Sequence, residues 1–287
     1  MNCEVILLTE VTHMFIADCH VHSSFSSDST EKPENIINTC INKGFKYVYF
    51  TDHHDTDFPI NPQNPDMDFQ LDFDAYFSKL SELKEKYKNK IEIRIGVEQG
   101  ICPEVADKVS KLSDSYPFDF IIGSSHLTNL SIENGDPYYP SFYEGRTNVE
   151  AYREYFKTEA ENVTLTDGFD IYGHIDYPIR YCPDKTFKFN FKDYSDIIEI
   201  FFKRLIEKGK GIEINTAGIS KIGYAHPHID ILKMYKELGG EIITVGSDAH
   251  STENICFGFD IAYKLLKELD FKYYSVYKDR KAEFIPL

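Results

Sequence analysis

The stretch Phe15-Ile16-Ala17-Asp18-Cys19-His20-Val21-His22 is a short apolar run that ends in two imidazoles. A period of two puts His20 and His22 on the same side of an extended chain. The same phrase recurs along the sequence. Tyr47–Phe50 leads into Thr51-Asp52-His53-His54, Ile91–Val97 into Glu98, and Phe120–Ser125 into His126. Phe169–Gly173 leads into His174, Gly211–Ile214 into Asn215, and Ile242–Ser247 into Asp248-Ala249-His250. Seven such runs predict seven strands of an α/β fold: a distorted seven-stranded (β/α)7 barrel, TIM-like, with its reactive groups gathered where the strands end. An open doubly wound sheet is the alternative, weakened because no Gly-rich phosphate loop follows the first run.

Between the runs lie amphipathic segments that predict helices over Lys32–Lys43, Asp72–Lys88, Glu104–Ser115, Asn148–Asp167, Phe191–Lys208, His228–Leu238 and Phe259–Leu269. Pro33 follows a Ser29-Thr30 cap signal, and Gly44, Gly209 and Gly239-Gly240 stand where helices should stop. Two connections are longer than turns. Asp55–Leu71 is acidic and proline-rich, and Thr128–Thr147 carries Tyr138, Tyr139, Phe142 and Tyr143. Both follow strands on the reactive edge, so both are expected to form substrate walls.

The chain has 287 residues, 42% of them hydrophobic, with 20 Tyr and 22 Phe. That composition supports a large core and opposes disorder. Its net charge of −16 opposes binding to nucleic acid, and no apolar run is long enough to span a membrane. Six dispersed cysteines without a C-x-x-C pair predict a cytoplasmic protein with no structural zinc site. Residues 1–13 read as an N-terminal extension, with Met14 an alternative start immediately before the first run; the barrel is expected over residues 14–287.

His20 and His22 are joined at the strand ends by Asp28, His53, Glu98, His126, His174, Asp248 and His250. Imidazoles with carboxylates and no thiolate suit Zn, Mn or Fe. Nine such residues exceed what one ion needs and predict two to three divalent metal ions, with Glu98 as the natural bridge. Three divalent cations outweigh Asp28, Glu98 and Asp248 by three charges, which a dianionic phosphate and one hydroxide would cancel. The ligand expected from this balance is a small phosphorylated metabolite.

The strings DCHVHSSFSSD, YFTDHHD, GVEQG, IIGSSH, YGHIDYP, EINTAGISK and VGSDAH resemble, in order, the motifs of the polymerase-and-histidinol-phosphatase (PHP) superfamily. The resemblance runs from about Phe15 to about Asp260. The GHIDYP and EINTAG strings and the stand-alone length look most like the histidinol-phosphate phosphatase branch. The resemblance implies a trinuclear centre, with His20, His22, Glu98 and Asp248 on one metal. It implies Glu98, His126 and His174 on a second, and Asp28, His53 and His250 on a third. It also implies that Arg180 binds the substrate phosphate and that Lys221 stands where relatives often carry arginine. His54 is expected to assist the leaving alkoxide or contact substrate, though strand alternation points it away from His53, and Asn215 to hydrogen-bond either substrate or the adjacent loop. The expected catalytic set is Glu98, His54 and Arg180, and the reaction that the resemblance implies is hydrolysis of L-histidinol phosphate.

Other readings stay open on sequence alone. A PHP phosphoesterase acting on a nucleotide or on phosphotyrosine would share these motifs. An amidohydrolase also begins with His-x-His, but it typically carries a lysine at the fourth strand, where this chain has Ser124-Ser125-His126. A non-catalytic module attached to a polymerase is opposed by the acidity and by the complete ligand set.

Overall fold

In a computed structural model the chain is described over residues 15–61 and 67–287. The expected extension 1–13 and the centre of the 55–71 connection lie outside the described residues. The main sheet contains β1 (Tyr47–Phe50), β2 (His53–Asp55), β3 (Glu92–Gly100), β4 (Phe120–Ser124), β5 (Ile171–Tyr172), β6 (Gly211–Asn215) and β7 (Ile243–Gly246). Every paired neighbour in it is parallel, in the order β1-β3-β4-β5-β6-β7. β1 and β2 are two halves of one stave: β1 pairs residues 92–95 of β3, and β2 pairs residues 98–100.

The opening run behaves differently from expectation. Residues 15–22 form no regular strand, because the buried Asp18 carboxylate takes the N–H groups of His20, Ser247 and Cys256. The run nevertheless closes the barrel. Ile16 O accepts from Lys46 and Tyr47 on one side, while Cys19 N donates to Val245 O and His22 N to Ala249 O on the other. A doubly wound open sheet has no such closing stave, and the TIM-like (β/α)7 reading holds.

Helices follow the strands as the apolar spacing predicts, at Pro33–Asn42, Phe73–Tyr87, Ala106–Ser113, Asn148–Leu165, Ser195–Glu207, Ile229–Glu237 and Phe259–Glu268. Ser195–Glu207 buries Ile197, Ile198, Phe201, Phe202 and Leu205, one stripe of a 3.6-residue period. Asn148–Leu165 starts with a capping box in which Thr147 and Glu150 satisfy each other's backbone N–H. The predicted starts at Glu104 and Phe191 are instead short 3-10 turns, Pro103–Val105 and Phe191–Asp193.

A C-terminal hairpin, β8 (Tyr273–Lys278) and β9 (Lys281–Pro286), had no sequence signal. Its two-residue turn, Asp279-Arg280, has positive φ at both positions without any glycine. Arg280 is held there by its Nε–H, which donates to Asp170. Tyr277 O accepts from Tyr49 OH and from Arg94 Nη1, so the hairpin packs against the end of the barrel opposite the ligand-bearing strand ends.

Candidate metal centre

The parallel register gathers the strand ends into one cluster. β2 and β3 pair His53 with Glu98, and β3 and β4 pair Glu98 with Ile122, two residues before Ser124. Glu98 is wholly buried and divides its two oxygens. Oε1 lies 2.8 Å from His174 Nε2 and 3.2 Å from His126 Nε2, and accepts from Ser124 Oγ at 2.7 Å. Oε2 lies 3.2 Å from His20 Nε2, 3.4 Å from His22 Nε2 and 3.0 Å from His53 Nδ1. A carboxylate with one oxygen toward each of two imidazole groups has the form of a bridge between two cations.

The donor set fits metal better than it fits hydrogen bonding. His20 Nε2 and His22 Nε2 face each other at 3.0 Å. His53 Nδ1 and Glu98 Oε2 are buried and close, yet neither has a partner in hydrogen-bond geometry. Among the described residues three groups that could hold a metal converge, His20-His22-Glu98, His53-Glu98-His126 and His22-His53-His250, each with its donor atoms within 4.8 Å of one another. Asp248 Oδ1 lies 3.4 Å from His22 Nε2, and Asp28 Oδ2 lies 3.1 Å from His250 Nε2 and 3.5 Å from His53 Nε2.

Electrostatics prepare the same set. Burial alone would raise the pKa of Glu98, but the imidazoles of His20, His53 and His126 hold it well below the usual carboxylate range. Asp248 is held down likewise, by His20, His22 and Arg180 against burial. Burial pushes the His22 imidazole down to about 3, helped by His250 and His53, which keeps it a neutral donor.

Further residues fix the candidate ligands from behind, the arrangement that metal-binding imidazoles use. His126 Nδ1 faces Asp55 at 2.9 Å, and His20 Nδ1 faces Glu213 Oε1 at 2.7 Å. Gly246 makes the second pair possible, since a Cβ there would meet His20 Cβ at 2.3 Å and Glu213 Oε1 at 2.4 Å. His22 Nδ1 lies 3.1 Å from Ser26 Oγ, which donates to Asp52. Glu213 escaped the sequence reading; an acid in the middle of the apolar run 211–215 was its signal.

Arg180 lies at the edge of the cluster with a fixed guanidinium. It donates from Nε to His226 Nε2 (2.7 Å), from Nη2 to Asn215 Oδ1 (3.0 Å) and from Nη1 to Asp248 Oδ2 (3.3 Å). Because His226 Nε2 accepts, its Nδ1 carries the hydrogen and donates to Asp176. His226 also went unnoticed in the sequence, since it follows no strand.

A cavity of about 730 Å³ opens on this cluster. Asp28, His53, Glu98, His126, His174, Asp248, His250, Arg180 and Lys221 line it, and His20 and His22 are buried. Two expected contacts are not met. His54 alternates with His53 along β2 and so turns away; its Nδ1 accepts from Leu71 N, and its ring lies against Phe73. Asn215 is wholly buried and committed to Glu213, Asp248, Arg180 and Ala217 N, so it ties protein groups together and does not line the cavity. Tyr138 and Tyr139 form wall as expected, whereas Phe142 is packed in the core.

The PHP domain model matches residues 18–217. The histidinol-phosphatase of Lactococcus lactis subsp. lactis (strain IL1403) is 32% identical over 93% of this chain and 96% of its own length. That of Bacillus subtilis (strain 168) is 22% identical over 85% and 96%. Among solved structures, histidinol phosphate phosphatase from L. lactis, complexed with zinc, L-histidinol and phosphate, superposes with a TM-score of 0.82 at 32% identity. It spans 93% of this chain and 98% of that one. A Listeria monocytogenes structure described as a putative histidinol phosphatase superposes at 0.70 with 20% identity, a likeness of fold. Motifs, barrel closure, ligand geometry and these relatives agree, and the chain belongs to the PHP domain family.

Proposed function

We propose that this protein is a metal-dependent histidinol-phosphatase, hydrolysing L-histidinol phosphate to L-histidinol and phosphate. The observation that carries the reading is the divided carboxylate of Glu98 beside a clamped arginine, in a chain 32% identical to an enzyme that binds zinc, histidinol and phosphate.

Two to three divalent ions, Zn, Mn or Fe, are assigned to the nine ligands. His20, His22, Glu98 and Asp248 would hold one, and Glu98, His126 and His174 a second. Asp28, His53 and His250 would hold the third. Such ions, when bound, supply Lewis acidity and lower the pKa of bound water. The protein's own part is positional. Glu98 holds two imidazole groups at a fixed separation, and Glu213 and Asp55 fix the tautomers of His20 and His126. Arg180, immobilised by three acceptors, offers preorganised charge to the equatorial phosphoryl oxygens, where negative charge spreads during transfer. Lys221 adds a cation at the mouth. Residues 14–287 act as one catalytic barrel, with 1–13 an extension. Free cysteines at positions 19, 40, 102, 182 and 256 suit a reducing, cytoplasmic setting.

The test is phosphate release, after reconstitution with Zn or Mn, from histidinol phosphate, p-nitrophenyl phosphate, a nucleotide and a phosphotyrosine peptide. Histidinol phosphate is expected to lead in kcat/KM. Equal turnover of all four would leave a phosphoesterase without this specificity.

A further inference from the structure

Among the described residues five carboxylates line the cavity: Asp28, Asp55, Glu98, Asp136 and Asp248. Four of them face cationic or imidazole groups of the protein: Asp28 with His250, Asp55 with His126, Glu98 with the histidines around it, and Asp248 with Arg180. Asp136 is the exception. It is 7% exposed, and its Oδ1 accepts from Tyr138 N at 2.8 Å. Among the described residues no lysine, arginine or histidine forms an ion pair with it.

An acid withdrawn from water without a cation is costly. Burial pushes the Asp136 carboxyl up to about 7. A cation that arrives with the ligand gives such a group its partner. Among the described residues the other acids of the two long loops are unavailable for that role, Asp68 and Glu144 being exposed and absent from the cavity lining. Asp55 faces His126, Asp57 pairs with Lys108 at the surface, and Glu133 is exposed and does not line the cavity. The wall near Asp136 is aromatic, with Tyr138, Tyr139, Tyr177 and Tyr181. Such rings can stack on an imidazole but offer no carboxylate to an ammonium.

We propose that Asp136 is the specificity-determining acid of this site, accepting the ammonium of the substrate while the tyrosines take its imidazole. The proposal rests on the histidinol-phosphatase reading above.

The test compares histidinol phosphate with 3-(imidazol-4-yl)propyl phosphate, which lacks only the amine and the substituents it requires. Wild-type enzyme should prefer the amine-bearing ester. In Asp136→Asn the ratio of the two kcat/KM values should fall about ten- to hundredfold, the worth of one charge-assisted bond. Asp136→Glu, which keeps the charge, should recover part of it. Both substrates meet the same preparation, so the fraction of folded enzyme cancels. An Asp136→Asn ratio equal to wild type, including equal losses on both esters, overturns the proposal while leaving histidinol-phosphatase activity standing. A wild-type enzyme that hydrolyses other esters but not histidinol phosphate overturns the functional reading, and this proposal with it.

Discussion

His20 Nδ1 lies 2.7 Å from Glu213 Oε1, with both side chains at 0% exposure and the two residues 193 positions apart in sequence. A carboxylate in this position fixes which imidazole nitrogen is free to bind metal and raises its basicity. Glu213 Oε2 also accepts from Asn215 Nδ2, so one acid on β6 ties together a candidate ligand and the residue that helps clamp Arg180.

Glu213→Gln should therefore weaken metal binding about 10- to 100-fold, the usual cost of losing such a partner. Competition with a chromophoric chelator reads this directly. Unchanged affinity, with the fold intact by circular dichroism, would show that Glu213 does not govern His20.

Glu98→Gln should lower the metal content more than His174→Ala does. The amide keeps one acceptor oxygen but loses the charge and the second oxygen, so it cannot serve both the His126-His174 side and the His20-His22 side. Elemental analysis of the two purified variants decides the order. Equal metal loss would remove Glu98 from the bridging position.

Arg180→Ala should retain metal yet lose about 2–4 kcal/mol in kcat/KM, comparable to removing a preorganised charge donor. Arg180→Lys should not restore it. Three acceptors at fixed directions, His226, Asn215 and Asp248, demand the planar fork. Wild-type kinetics in Arg180→Ala would place the phosphate elsewhere.

Substrate preference should depend on pH through Asp136. Its carboxyl is raised to about 7 by burial, with Asp55 adding to the rise and His126 opposing it. Below that value the group is neutral and gives an ammonium little; above it the group is charged. The ratio of kcat/KM for histidinol phosphate to that for the deamino ester should thus rise as pH increases from about 5.5 to about 7.5, a window in which an ordinary carboxyl would be fully ionised. Phosphate and imidazole ionisation occur in both esters and cancel. A flat ratio in wild type would contradict this.

The periodic features were legible in the chain itself. Apolar runs of strand length, all but one ending in His, Asp or Glu, predicted the barrel and the gathering of those side chains, because strand ends in a closed parallel sheet share one rim. The helices were legible for the same reason: their stripes repeat within a few residues. The C-terminal hairpin was not, because Asp279-Arg280 adopts a turn that sequence normally marks with glycine, and Arg280 is kept there by Asp170, 110 residues away.

Roles that depend on who faces whom were left to the tertiary structure. Nothing local in residues 211–215 says that Glu213 reaches His20, or in residues 225–228 that His226 passes a hydrogen bond between Asp176 and Arg180. His54 and Asn215 carry the right chemistry, yet the pleat turns one away and buried partners claim the other. Asp55, Asp57, Glu133 and Asp136 are equivalent as acids in loops; only folding assigns the first to His126 and the second to Lys108, exposes the third, and leaves the fourth unpaired at the cavity wall. The sequence alone determined which residues the barrel rim would hold, since strand periodicity is local. Pairing across the barrel joins residues far apart in the chain, so only the closed fold could decide which of them orient metal, clamp arginine or await a ligand.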